Sequence, residues 1–307
     1  MQAVENNLKT ECILGVDLGA TSLRVARVGA DGGEFLSVPT PSSIEAEEIV
    51  SSAIVIARES MKVSGLGLSR APDIDDQGRV GAWPSRPQWR GLPLIPWLRA
   101  SSEAPVFSAD DGVCATLWEH CSRVNAPRHA VTACVGIGTG VSVGIMANDG
   151  VVPSGEGAET LSHGRLPGMD LPCKCGLRGC LQTLLCVQAL EQLNAAGRIS
   201  DVRRGFREFL MILKRRYHVN LAIITGGGLD RFGVDFLKDT LTAAALDSGI
   251  HLEFSLTPGL SGVGGALLLA TGHPAVKNDT WMGRIRRFIH QTNQDMKTPE
   301  LSALAKA

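Results

Sequence analysis

Three thiols fall within eight residues at Cys173, Cys175 and Cys180, and His163 lies ten positions before the first of them. Three thiolates and one imidazole complete a tetrahedral shell with no place left for water, the arrangement of a structural zinc site. Gly176 and Gly179 supply the tight turns that converging ligands demand. Buried free thiols and a disulfide are the competing readings. A second chemistry-bearing pair is Asp110–Asp111, placed between a short apolar run and a stretch with apolar residues four apart. Aspartate caps helix N-termini and suits the positive end of the helix dipole, so one of the two is expected to cap. The other, in a cleft, can accept the proton of an alcohol held in line with a phosphoryl group.

Three glycine turns complete the set. In VDLGATS, Asp17 ends an apolar run, Gly19 lets backbone approach a ligand, and Thr21 adds a hydroxyl. Backbone N–H groups in such a turn can cradle phosphate oxygens while a strand-end carboxylate orients Mg²⁺ or its waters. GIGTG repeats the plan with Gly138 and Thr139, and Gly226, Gly227 and Gly228 interrupt a third apolar run. Any one of these is compatible with an ordinary hairpin turn; the three together point to a nucleotide.

These residues need elements to hold them. A chain of 307 residues exceeds the size at which one core stops growing, which predicts two lobes and a cleft. Residues 11–28 read as two β-runs around a glycine turn, and 130–146 repeat that plan, so a duplicated lobe is expected. A helix is predicted over 43–61, with Ile44, Ile49, Ala53 and Ile56 as its apolar face, and another over 110–123 carrying Val113, Leu117 and Cys121. Strands are expected at 104–109 and 221–229, a glycine-studded helix at 259–272, and a part-helical polar tail beyond it. The boundaries place a smaller lobe at 1–115, with a C-terminal helix of about 285–307 packing on it, and a larger lobe at 116–284 with the metal loop 163–180. The crossing falls in the helix that opens at Asp110.

Composition narrows the function. Hydrophobic content of 44% and a net charge of −1 give no electrostatic reason to expect nucleic acid or an anionic membrane, so the partner is a small molecule. No leader pattern and no apolar stretch of roughly 18 residues is read, which predicts a cytosolic protein. In that reducing setting Cys12, Cys114, Cys121, Cys134 and Cys186 are expected to be buried small hydrophobes. Trp83, Trp89 and Trp97 are expected to pack a lobe rather than stack on a sugar.

Together these motifs resemble the ROK family of repressors and sugar kinases, from about Ile13 to Ala270. VDLGATS and GIGTG resemble its two phosphate motifs, ITGGGL its nucleotide-side turn, ADDGVCATLWE its catalytic segment, and the span from His163 through CKCGLRGC its zinc signature. The resemblance implies an actin-like, ribonuclease H-like pair of α/β lobes over ATP, Mg²⁺ and a sugar, a structural Zn²⁺ on His163, Cys173, Cys175 and Cys180, and homodimers. It puts Asp111 on the catalytic aspartate, the general base toward a hexose or amino-hexose hydroxyl, C6 above all. Asp17, Gly19, Thr21, Gly138, Thr139 and Gly226 to Gly228 fall on the nucleotide side, and Ser85, Asp110, Asp111, Glu159, His163 and Gln182 on the sugar side. Ser85, Asp110 and Gln182 depart from the family's usual residues, and Glu159 stands one residue further from His163, which implies a hydroxyl pattern other than that of glucose. Asp110, with Glu156 and Glu159, suits a cationic amino sugar. The alternative is a sugar-sensing, regulatory member of the same fold, against which stands the lack of a helix-turn-helix before Ile13.

Overall fold

The computed structural model describes residues 11–123, 131–147, 150–152, 161–231, 234–272 and 279–296. The chain divides into two compact units, Met1–Cys114 with Gly262–Ala307, and Ala115–Ser261.

The first unit is built on β1 (Glu11–Leu18), β2 (Ser22–Gly29), β3 (Gly33–Pro39), β4 (Lys62–Arg70) and β5 (Val106–Asp110), in the order β3-β2-β1-β4-β5. β1, β2 and β3 form an antiparallel meander, and β4 and β5 run parallel to β1. β1 and β4 are buried almost end to end, as central parallel strands are when both faces are covered. On one face Leu14, Val16, Leu66 and Leu68 pack with Trp83, Trp89, Trp97 and Ile54. The tryptophans are thus core, and Trp83 meets Trp89 edge-on at 5.2 Å.

The other face is nearly bare of side chains at Gly65 and Gly67, and that bareness corrects the domain boundary. A Cβ at Gly67 would strike the carbonyl of Ala266, and one at Gly65 that of Ala270, so the helix Ser261–Ala270 lies backbone to backbone on β4. The second unit therefore ends at Ser261 rather than near 284, and from Gly262 onward the chain belongs to the first unit. The tail helix Asp279–Asp295 also packs there, with Phe288 over Gly33.

The predicted helix at 43–61 forms over Ala46–Arg58, on a different face from the one expected. Ile44 precedes it and is 94% exposed, and Ile56 is 62% exposed. The buried stripe is Ala46, Val50, Ala53, Ile54 and Ala57. Its spacing is that of an ideal helix face, but small alanines carry most of it.

The second unit repeats the first. β6 (Thr132–Ile137), β7 (Val141–Ala147), β8 (Gly150–Val151), β9 (Leu221–Thr225) and β10 (His251–Phe254) form a sheet in the order β10-β9-β6-β7-β8. Again the first three strands are antiparallel and the last two parallel. The helix Ile199–Tyr217 brings Val202, Phe206, Phe209, Leu210 and Leu213 into its core. Of the five cysteines expected inside, Cys12, Cys114 and Cys134 are buried, while Cys121 and Cys186 are half-buried.

The helix Asp111–Ser122 starts in the first unit and passes into the second between Cys114 and Ala115, which is where the crossing was expected. In the second unit it carries Glu119, only 2% exposed. That carboxylate accepts Ser255 Oγ at 2.5 Å, Ser261 Oγ at 2.6 Å and Arg123 Nη2 at 3.1 Å, so a buried charge is compensated on both oxygens.

Candidate active site

Because β1, β4 and β5 run parallel, their C-terminal ends reach the same edge of the sheet, where ligands of open α/β sheets bind. Register places Asp17 beside Ser69, and Arg70 beside Asp110. Asp17 Oδ1 accepts Ser69 Oγ at 2.7 Å, and Oδ2 pairs with Arg24 at 3.3 Å. The same carboxylate abuts Gly262 in the first turn of the helix Ser261–Ala270, where a Cβ would come within 2.5 Å of it.

The acidic pair separates into two roles. Asp110 Oδ1 accepts Gly112 N–H at 2.9 Å, the bond of a helix cap, and Asp111 is the first helical residue. Asp111 is half-buried, and burial of its carboxyl pushes its pKa well above the ordinary 3.8. The charges of Asp110 and Asp17 push the same way, while Gly112 N–H and Arg70 oppose them. Asp17, Asp110 and Asp111 are thus gathered at one strand edge.

The first turn is tied back from behind. Thr40 Oγ1 donates to Gly19 O at 2.6 Å, Arg86 Nε to Ala20 O at 2.8 Å and Thr40 N–H to Thr21 O at 3.0 Å. In planar trans peptides this directs the N–H groups of Ala20 and Thr21 to the opposite side, as a phosphate cradle requires. Arg86 also bonds Pro41 O at 2.9 Å, while neighbouring Ser85 is exposed. Ser69, Arg70, Thr40 and Arg86 were not singled out from sequence. The first two could have been, since they end β4, the strand parallel to the one that carries Asp17 next to its end.

In the second unit the turn Gly138–Thr139–Gly140 and the triple glycine come together. A Cβ at Gly226, whose φ is +99°, would strike the carbonyl of Ile137, so only glycine fits. The predicted strand at 221–229 consequently stops at Thr225, and a short helix opens at Gly228. Thr139 and Gly227 are exposed. Gln182, expected on the sugar, uses its side-chain oxygen to accept Val141 N–H at 2.7 Å. Glu156 and Glu159 lie outside the described residues.

His163, Cys173, Cys175 and Cys180 converge, with ligand atoms within 4.8 Å of one another. Zinc bond lengths of about 2.3 Å to sulfur and 2.0 to 2.1 Å to nitrogen set tetrahedron edges of about 3.8 Å between sulfurs and about 3.6 Å between sulfur and nitrogen. Cys175 and Cys180 Sγ are 3.7 Å apart, and Cys173 Sγ is 3.6 Å from His163 Nδ1. The residues therefore fit zinc. Burial lowers the pKa of His163, which favours the neutral imidazole a metal needs, and pushes the Cys180 thiol up to about 12. Burial acts on Cys175 in the same sense, but the Leu177 N–H and the other two thiols bring it below its ordinary value. Gly176 and Gly179 have φ of +89° and +72°, the left-handed turns expected in the loop.

Two repeated α/β units, each a meander extended by parallel strands and each closed by a glycine turn, define an actin-like ATPase fold. Residues 13–203 match the ROK family, and the chain belongs to it. A kanosamine kinase from Amycolatopsis mediterranei is 35% identical over 124 residues, which span 40% of this chain and 40% of that protein. A ROK family glucokinase from Streptomyces griseus, solved with glucose and AMPPNP, superposes with a TM-score of 0.68 at 22% identity, covering 85% of this chain and all of that one. A ROK family transcriptional regulator superposes with a TM-score of 0.64 at 17% identity, over 93% of this chain and 82% of its own. Among the described residues no helix is long and apolar enough to cross a membrane.

Proposed function

We propose that the protein is an ATP- and Mg²⁺-dependent sugar kinase that transfers the γ-phosphoryl group of ATP to a hydroxyl of a hexose or amino-hexose, C6 by preference. The observation that carries this reading is the gathering of Asp17, Asp110 and Asp111 with Arg70 at one strand edge beside a tied-back glycine turn. Asp111 is the general base: it takes the proton of the attacking hydroxyl while the oxygen bonds to phosphorus and ADP leaves. Its raised pKa suits a base that becomes active when positive charge arrives, since a cation near Asp17 lowers it toward the ionised form. Bound Mg²⁺ supplies neutralisation of the phosphate charge, and Asp17 is the residue placed to hold its water shell.

In the first unit Gly19 and Thr21, and in the second Gly138, Thr139 and Gly226 to Gly228, hold the nucleotide. Ser85, Asp110, Glu159, His163 and Gln182 contact the sugar; the Gln182 oxygen accepts Val141 N–H, and its NH₂ group carries two donors besides. Zinc would hold the loop 163–180 in shape and leaves no open coordination position for chemistry. The amino-sugar arm is supported by the pairing of acidic residues with the 35% identity to a protein named kanosamine kinase. The same reading places the protein in the cytosol, where thiols stay reduced, as a homodimer that sizing by light scattering checks.

A coupled ADP-release assay with glucose, N-acetylated hexosamines and unacetylated amino-hexoses tests it. The expected result is turnover, with kcat/KM higher for an unacetylated amino-hexose than for glucose. A glucose preference removes the amino-sugar arm alone. Sugar binding without turnover on any member of the panel replaces the kinase with the regulatory reading.

A further inference from the structure

Gln182 sits two residues beyond the metal ligand Cys180 and touches the second glycine turn. Its side-chain oxygen accepts Val141 N–H at 2.7 Å, and its carboxamide is the nearest group to Gly140, with Nε2 3.5 Å from where a Cβ would stand. Five residues later Val187 N–H donates to Gly138 O at 2.9 Å. One short segment, the helix Gln182–Leu185 and its flanks, thus grips the turn at both of its ends. That segment is itself anchored at the metal cluster: Cys180 is fully buried, and its carbonyl accepts both Thr183 Oγ1 at 2.7 Å and Thr183 N–H at 2.9 Å. Leu181, Leu184 and Leu185 are fully buried in the core of the unit, so the segment moves as a block or not at all. Within the turn Gly138 N–H also bonds Gly140 O at 2.9 Å.

We infer that Gln182 is a positioning residue for nucleotide binding, fixing the second phosphate turn to the metal loop so that loss of the metal is felt at the turn. The inference rests on the nucleotide reading of that turn. A neutral carboxamide suits the position, because it accepts the N–H without adding negative charge where phosphate oxygens arrive.

The test compares the zinc-loaded parent with Gln182→Met, which keeps length but lacks the strong acceptor, and Gln182→Glu, which keeps the acceptor. Calorimetry with AMPPNP and Mg²⁺ is expected to give a Kd about five- to tenfold weaker for Gln182→Met. Hydrogen exchange over 136–143 is expected to speed up in Gln182→Met and to stay at the parental rate in Gln182→Glu. Stripping zinc from the parent is expected to speed exchange in the same stretch, and stripping it from Gln182→Met to add little further. Parental exchange over 136–143 in loaded Gln182→Met, or an AMPPNP Kd within twofold of the parent, overturns the inference whatever stripping does to stability. If the parent binds no AMPPNP, the kinase reading fails instead, and the exchange arm still decides whether Gln182 couples loop and turn.

Discussion

The helix Asp111–Ser122 carries two carboxylates treated in opposite ways. Glu119, in the second unit, has Arg123, Ser255 and Ser261 on its oxygens and is a compensated structural charge. Asp111, two turns earlier in the first unit, stands near two further carboxylates, and its pKa is driven up. The sheets repeat the contrast. Asp17, next to last in β1, has Ser69 and Arg24 on it, and the matching position of β6 is Gly136, whose register partners are Ser142 and Thr225. One fold has been used twice, once to concentrate charge and once to hold a turn and a metal loop. Under the proposed kinase reading, the crowded carboxylates mark the reactive half and the compensated one the supporting half.

The contrast is broken most severely at Glu119. Glu119→Ala takes one partner each from Arg123, which keeps Glu253, and from the Ser255 and Ser261 hydroxyls, and a loss of about 2–3 kcal/mol is expected in denaturant melts. A cost below about 1 kcal/mol would mean that the network contributes little. In the first unit Gly67→Ala drives a Cβ into the Ala266 carbonyl and is expected to cost about 1–3 kcal/mol, with faster exchange in 262–270. Unchanged stability there would show that the helix is not seated on β4 as described. Ser69→Ala removes one donor from a carboxylate that water still reaches, for about 1 kcal/mol or less, but is expected to raise the KM for ATP·Mg²⁺ more than it lowers kcat. Equal effects on both would detach Ser69 from the nucleotide side.

Much of this was legible in the sequence where residue type and local spacing carry the signal. The two β-hairpins, the crossing helix and the convergence of His163, Cys173, Cys175 and Cys180 were legible because a turn, a periodicity or a set of residue types lies within a short stretch. From the residues alone the roles within Asp110–Asp111 were not separable, since both suit a cap; the resemblance put the base on Asp111, and the structure puts the Gly112 N–H on Asp110 Oδ1 at 2.9 Å. Ser69 reaches Asp17 through a register between strands 52 residues apart, which no local pattern reports. Gln182 falls on the sugar side by resemblance, and no local pattern reports that its oxygen also accepts a backbone N–H 41 residues away. The face of the helix Ala46–Arg58 was misjudged because isoleucines weigh more than alanines in a hydrophobic pattern, while close packing selected the alanines.

The pH behaviour of Asp111 joins stability to function. A carboxyl whose folded pKa lies above its unfolded value binds protons more tightly when folded, so its contribution is full below the ordinary 3.8 and is lost as pH rises through the folded value. Catalysis runs the other way, since the base must be ionised, so kcat/KM is expected to rise with pH through that same value. Asp111→Asn is the most direct measurement: kcat is expected to fall by about 10²- to 10⁴-fold, with sugar and AMPPNP affinities kept and a higher melting temperature at neutral pH. Parental kcat in Asp111→Asn, or a melting temperature that falls with it, would contradict the assignment of the reactive charge to this residue.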